Sequence, residues 1–136
     1  WLLSNVPHSL TTAMIKYSIP ILMFCCSPAW ADWSYLNKAG ESSLYIDPLS
    51  ARSGTRPRVW ALQDYGHADE YGDWSAKLLL EANCSDRTLR QLSGVFFKEA
   101  MGRGATTSEY QPTDWAAPAA GSIDLIALQF LCGVKP

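Results

Sequence analysis

Several segments of the chain alternate apolar and polar residues with the period of two that marks half-buried strands, and polar turn residues separate them. Trp33-Ser34-Tyr35-Leu36 opens a first strand, and Asn37-Lys38-Ala39-Gly40-Glu41 is read as the turn that reverses it. Ser43-Leu44-Tyr45-Ile46-Asp47 forms a second, halted by Pro48, which lacks a ladder donor. Arg58 to Asp64 forms a third. The fourth is the clearest: from Trp74, the residues Ala76, Leu78, Leu80, Ala82 and Cys84 share one face, while Ser75, Lys77 and Glu81 share the other, with Leu79 the apolar exception. The Tyr65–Asp73 stretch between the third and fourth strands reads as a solvated acidic loop.

Thr88–Met101 mixes two signals. Leu89, Leu92 and Phe96 fit a helical period, but Gly94 and the pair Phe96-Phe97 favour a strand, which is the reading adopted. Gly102–Pro118, rich in Gly, Thr, Ser and Pro, reads as irregular connection. A helix then runs from Ser122 to about Cys132: Ser122 can accept from first-turn amides, Asp124 suits the positive end of the dipole, and Gly133 can end it. Tyrosines and tryptophans are expected mainly in the core.

The opening segment has a different pattern. Met14 and Lys16 precede the apolar run Tyr17–Cys26, and Ser27-Pro28-Ala29-Trp30-Ala31 follows, the order of a secretory signal with cleavage after Ala31. The apolar run is about half the ~20 residues a bilayer span needs, and Pro20 interrupts it. Phe24 stands where a lipoprotein signal wants a small residue, which argues against lipid on Cys25 or Cys26. Residues 1–13 precede Met14 and read as an over-extended reading frame, so His8 carries no functional weight. The expected organisation is 1–13 extension, 14–31 signal peptide and 32–136 one domain, with no membrane span once the signal is removed.

Export sets the cysteine chemistry. Of four cysteines, Cys25 and Cys26 leave with the signal; Cys84 and Cys132 remain, in a compartment where disulfides persist, and a bridge between them would tie the helix to the fourth strand. Residues 32–136 carry 10 basic against 13 acidic side chains, a balance that argues against a general nucleic-acid binder. His67 is the single histidine after the signal, in a loop without a nucleophile elbow, so no catalytic triad is expected. With both cysteines bridged, good zinc ligands are too few, and Asp64, Asp69, Glu70 and Asp73 lack the spacing of a calcium loop. No cofactor is expected. Two arginine groups remain as candidate partner-binding residues: Arg52, Arg56 and Arg58, and Arg87 with Arg90, whose guanidinium forks suit carboxylate or sulfate groups.

Leu44-Tyr45-Ile46-Asp47, then Val59-Trp60-Ala61-Leu62-Gln63-Asp64-Tyr65, Ser75-Ala76-Lys77 leading to Asn83-Cys84, Arg87-x-x-Arg90 and a late Cys132 resemble the surface-adhesin protein E family along nearly all of residues 32–136. The resemblance implies an α+β, mainly β fold: an antiparallel sheet of about six strands with one C-terminal helix joined to it by the disulfide. It also implies an exported Gram-negative protein at the periplasm or outer cell surface. The expected function is a non-catalytic, adhesin-like binding protein whose partner is a protein, a host matrix protein among the candidates, or a polyanionic macromolecule, with homodimerisation in the family's range. The alternative is a periplasmic structural or assembly subunit. The chain lacks a dense lysine cluster, so host-matrix binding does not carry over residue by residue.

Overall fold

The structure is a computed structural model, and it describes residues 32–133; the segments assigned to the extension and the signal peptide lie outside the described residues. Six strands form one antiparallel sheet in simple sequence order: β1 (Ser34–Ala39), β2 (Ser42–Ile46), β3 (Arg58–Asp64), β4 (Ser75–Asn83), β5 (Thr88–Glu99) and β6 (Arg103–Glu109). Helix α1 (Ile123–Leu131) packs on one face. A sheet whose neighbours are all consecutive is built from hairpins alone, so no long crossover is needed.

Alternation decides what lies beneath the helix. Leu44 and Ile46 of β2, Val59 and Ala61 of β3, Ala76, Leu78, Leu80 and Ala82 of β4 and Leu89 of β5 are buried there with Ile123, Ala127 and Leu128 of α1. The expected faces of β4 are therefore observed, although Trp74 falls just before the strand and is 40% exposed. Ser122 caps α1, its hydroxyl accepting from Leu125 N at 3.2 Å, and Gly133 follows the helix with φ of 69°. Cys84, just after β4, bridges Cys132 at the end of α1, with a Cα–Cα distance of 5.6 Å.

Four expectations need correction. The first strand is longer than expected: β1 continues to Ala39, and the reversal takes only Gly40-Glu41, because Gly40 adopts a left-handed φ of 59° at no steric cost. A bulge between Tyr35 and Asn37 shifts the register, so that Leu36 and Ala39 both reach the core.

The segment after Gly102, expected to be irregular, contains β6. Every β6 residue is exposed, so the strand has no hydrophobic alternation to read and is held by its ladder with β5. Beyond it, residues 113–116 return along the first half of β5, with Leu89 and Ala116 exchanging backbone hydrogen bonds of 2.9 and 3.1 Å.

The fully buried core is aliphatic among the described positions; Tyr65 and Phe96 pack against it only partly buried, while Tyr35, Tyr71, Trp74 and Tyr110 are exposed. Finally, the acidic loop is not wholly solvated. Asp69 Oδ1 accepts from Tyr71 N and Asp73 N at 2.9 and 2.8 Å, which folds the loop inward and leaves Asp73 only 6% exposed. Asp73 Oδ1 lies 2.9 Å from Lys98 Nζ, an ion pair whose angles are off the line of a hydrogen bond.

Candidate functional site on the uncovered sheet face

Residues paired directly across a sheet share a face. Strand register therefore maps the side that α1 does not cover. One row runs Tyr35, Tyr45, Leu62, Lys77, Val95 and Ser108, passing from β1 to β6. The next holds Trp60, Leu79 and Ser93. The third sets Arg58, Glu81 and Arg90 side by side on β3, β4 and β5. At the far end, Leu62 and Ser75 are fully buried beneath the turn Ala100–Gly102, where Ser75 Oγ donates to Glu99 O at 2.7 Å and accepts from Gly102 N at 2.9 Å.

The rest of this face is a surface of fixed cations and rings. Glu81, with a side chain only 4% exposed, pairs with Arg90 through Nη2 at 2.8 Å and Nε at 3.0 Å, and with Arg58 Nη2 at 3.3 Å. A buried carboxylate is costly unless it is paired and hydrogen-bonded, and here both of its oxygens are engaged. Trp115, delivered by the returning 113–116 segment, meets the Arg90 guanidinium at 4.5 Å and that of Arg56 at 5.5 Å from its ring centre. Lys77 Nζ lies 4.8 Å from the ring of Trp60 and 5.9 Å from that of Trp33, within cation–π range of both. Tyr35 and Tyr45 pack edge to face at 5.6 Å.

Around the cluster, Glu81 is the carboxylate that meets the guanidinium groups of Arg58 and Arg90, with Arg56 and the Lys77 ammonium beside them. Asp47 is occupied capping Leu49 N at 3.2 Å, and Asp64 sits in the opposite end row, paired across the ladder with Ser43 and Ser75. The arrangement holds cations in place by stacking and ion pairing while leaving donors outward, as an anion-binding surface requires.

Of the arginines singled out from sequence, Arg56, Arg58 and Arg90 come together, although they belonged to two separate groups. Arg52 bridges Arg58 through backbone, but its guanidinium folds back to Leu49 O and Ala51 O at 3.1 and 3.0 Å. Arg87 stands in the β4–β5 turn with φ of 55° and lines a cleft of about 120 Å³ beside the disulfide, near Leu128 and Gln129. Trp33, Trp60, Lys77, Glu81 and Trp115 were not singled out. Strand parity alone could have paired Arg58 with Trp60 and Lys77 with Glu81, but nothing in the 102–118 segment marks Trp115.

Elsewhere, His67 Nδ1 contacts Glu41 Oε2 at 2.8 Å between two exposed side chains, and no group of three or more metal-ligand side chains occurs among the described residues. Nor is any described helix long and apolar enough to cross a membrane.

A family model described as surface-adhesin protein E matches residues 33–133. Among solved structures, crystal form II of Haemophilus influenzae protein E is 17% identical, covering 76% of this chain and 89% of that one, with a TM-score of 0.55. A second structure of the H. influenzae protein covers 76% and 86% at 17% identity, with a TM-score of 0.52. Protein E from a non-typeable H. influenzae covers 73% and 75% at 16% identity, with a TM-score of 0.51. No curated protein matches the chain by sequence.

Proposed function

Because the chain belongs to the surface-adhesin protein E family, we propose that it is an exported, non-catalytic adhesin-like protein that engages a macromolecular partner through the sheet face opposite α1. The observation that carries this reading is the uncovered surface itself. A six-stranded sheet has two faces, and the helix buries one of them. The other retains Tyr35 at 58% exposure, the half-buried Trp33, Trp60 and Trp115, and the cations of Arg56, Arg58, Arg90 and Lys77. Aromatic and arginine side chains are the residues most enriched at binding hot spots. Their rigid placement reduces the ordering cost a partner must overcome.

The adhesin reading places this face outside the cell. Protease shaving of intact Gram-negative cells expressing the chain is expected to remove the protein while a periplasmic marker survives. Protection of the protein together with that marker would discard the adhesin reading in favour of a periplasmic subunit.

A further inference from the structure

We infer that the uncovered face is a binding site for an acidic polysaccharide, in which Arg56, Arg58 and Arg90 hold one carboxylate or sulfate group, Lys77 holds another, and Trp60 and Leu79 support the sugar between them. The inference rests on the proposed recognition face and names its ligand class.

Three features of the face carry it. The first is a surplus of fixed positive charge on a chain that is acidic overall: residues 32–136 have 13 acidic against 10 basic side chains, yet here four cations stand against Glu81 and, in the end row, Asp64. Such local contrast focuses an anionic ligand onto one place.

The second is the state of the donors. Glu81 takes Arg90 through Nε and one Nη, and Arg58 through one Nη, so each guanidinium keeps further N–H groups. Arg58 remains 49% exposed at its side chain, and among the described residues no carboxylate is paired with Arg56, whose guanidinium lies at the Trp115 ring. A guanidinium held at an aromatic ring loses little further freedom on meeting an oxyanion.

The third is the spacing. Lys77 and Glu81 lie four residues apart on β4, so the two cationic positions are about 13 Å apart at the ordinary strand rise. Between them the face is apolar, with Trp60 beside Leu79. A polymer that fits must alternate anionic groups with an apolar surface broad enough to lie on an indole. Acidic polysaccharides have this character, since the C–H faces of the sugar rings lie between carboxylate or sulfate substituents. A polyaspartate chain has the charges without the apolar faces.

The test uses the exported protein with three probes: size-defined heparin fragments, uncharged dextran and polyaspartate, each measured by calorimetry at low and at physiological salt. Heparin is expected to bind, with affinity falling steeply as salt rises, because exposed charges are screened over about 8 Å at physiological ionic strength. Dextran is expected to give no heat, and polyaspartate to bind at least about ten-fold more weakly than heparin.

Arg56→Glu and Lys77→Gln, neither of which breaks an ion pair to a carboxylate among the described residues, are each expected to weaken heparin binding about ten-fold or more with an unchanged circular dichroism spectrum. Arg52→Ala and Arg87→Ala should have no effect. Absence of heparin binding by folded wild-type protein at low salt overturns the inference, as does binding indifferent to both Arg56→Glu and Lys77→Gln. Polyaspartate bound as tightly as heparin overturns the ligand class. None of these outcomes depends on the shaving experiment: a surface-exposed protein that ignores heparin removes this inference and leaves the adhesin reading standing.

Discussion

Glu81 is 3% exposed and carries the charge of the uncovered face from beneath. Its neighbours are not equivalent. Arg90 is 26% exposed at its side chain and makes two contacts to one oxygen, whereas Arg58 is half exposed and makes one longer contact. Removing Arg90 leaves a buried carboxylate with only the weaker partner. Arg90→Ala is therefore expected to destabilise the fold by about 3 kcal/mol in urea denaturation. The double change Arg90→Ala/Glu81→Leu should recover much of that loss, because the orphaned charge is gone. If the single and double variants are equally unstable, the ion pair is not what holds this position.

Tyr65 offers a second measurement on one residue. Burial, and then the carboxylates of Asp69 and Asp73, push its hydroxyl up to about 12. In the unfolded chain it ionises near 10. The folded state thus keeps a proton that the unfolded state gives up, so the contribution to stability is complete below pH 10 and is lost as pH rises from 10 through 12. In absorbance titration of the folded protein, the Tyr65 phenol should ionise late. Tyr65→Phe should delete that late step and flatten the fall in stability over the same window. A wild-type titration without a delayed phenol would refute the assignment.

At the scale of elements, the sheet and the helix depend on each other in different ways. The strands are linked to their sequence neighbours, with tight turns at β1–β2 and β4–β5 and longer connections over 47–57 and 65–74, whose closure costs grow only slowly with length. Helix α1 has nine residues, below the length at which a helix is stable in water by itself, and must be held by packing and by its bridge. The Cys84–Cys132 disulfide spans a sequence separation of 48. In the chain-entropy model, closing such a loop is worth on the order of 4 kcal/mol. Cys84→Ser or Cys132→Ser should lower the melting temperature strongly, and the far-ultraviolet helical signal should weaken before the β signal does, since the sheet keeps its ladder. Alkylation of the exported protein without reductant should label neither cysteine; a labelled thiol at either position would contradict the bridge. Along β6 the logic is reversed. All its side chains are exposed, and the strand persists through backbone hydrogen bonds to β5. Gly104, with φ of 85°, lies at the register shift that bends the edge, a device that discourages pairing with a further strand.

For the whole molecule, the division of the sheet into two unlike faces is the fact on which function rests. Parity along β3 and β4 was readable: Val59, Ala61, Ala76, Leu78, Leu80 and Ala82 could be set on one side from alternation alone, and export with two remaining cysteines pointed to the bridge. The cap at Ser122 and the stop at Gly133 are local chemistry and were equally legible, because capping depends only on neighbours within a turn. The side the helix covers was legible too, because Cys84 shares the face of the β4 leucines and its bridge to Cys132 draws α1 there. The expectation that the tyrosines and tryptophans lie mainly in the core, drawn from strand parity, held for Tyr65 at its margin but not for Tyr45 and Trp60, because α1 packs on the aliphatic side and leaves them opposite. Nor could sequence spacing bring Arg90 to Arg58, 32 positions earlier, with Glu81 between them. That contact is made by strand register, a long-range property. Strand β6 and Trp115 were illegible for a related reason: an exposed edge strand and the segment that follows it bury no periodic apolar face, so only pairing with β5 orders them. Local propensity and patterning determined the strands of the core, the helix and its caps; tertiary pairing decided which residues share the uncovered surface, because a cross-strand neighbour is set by register and not by distance along the chain.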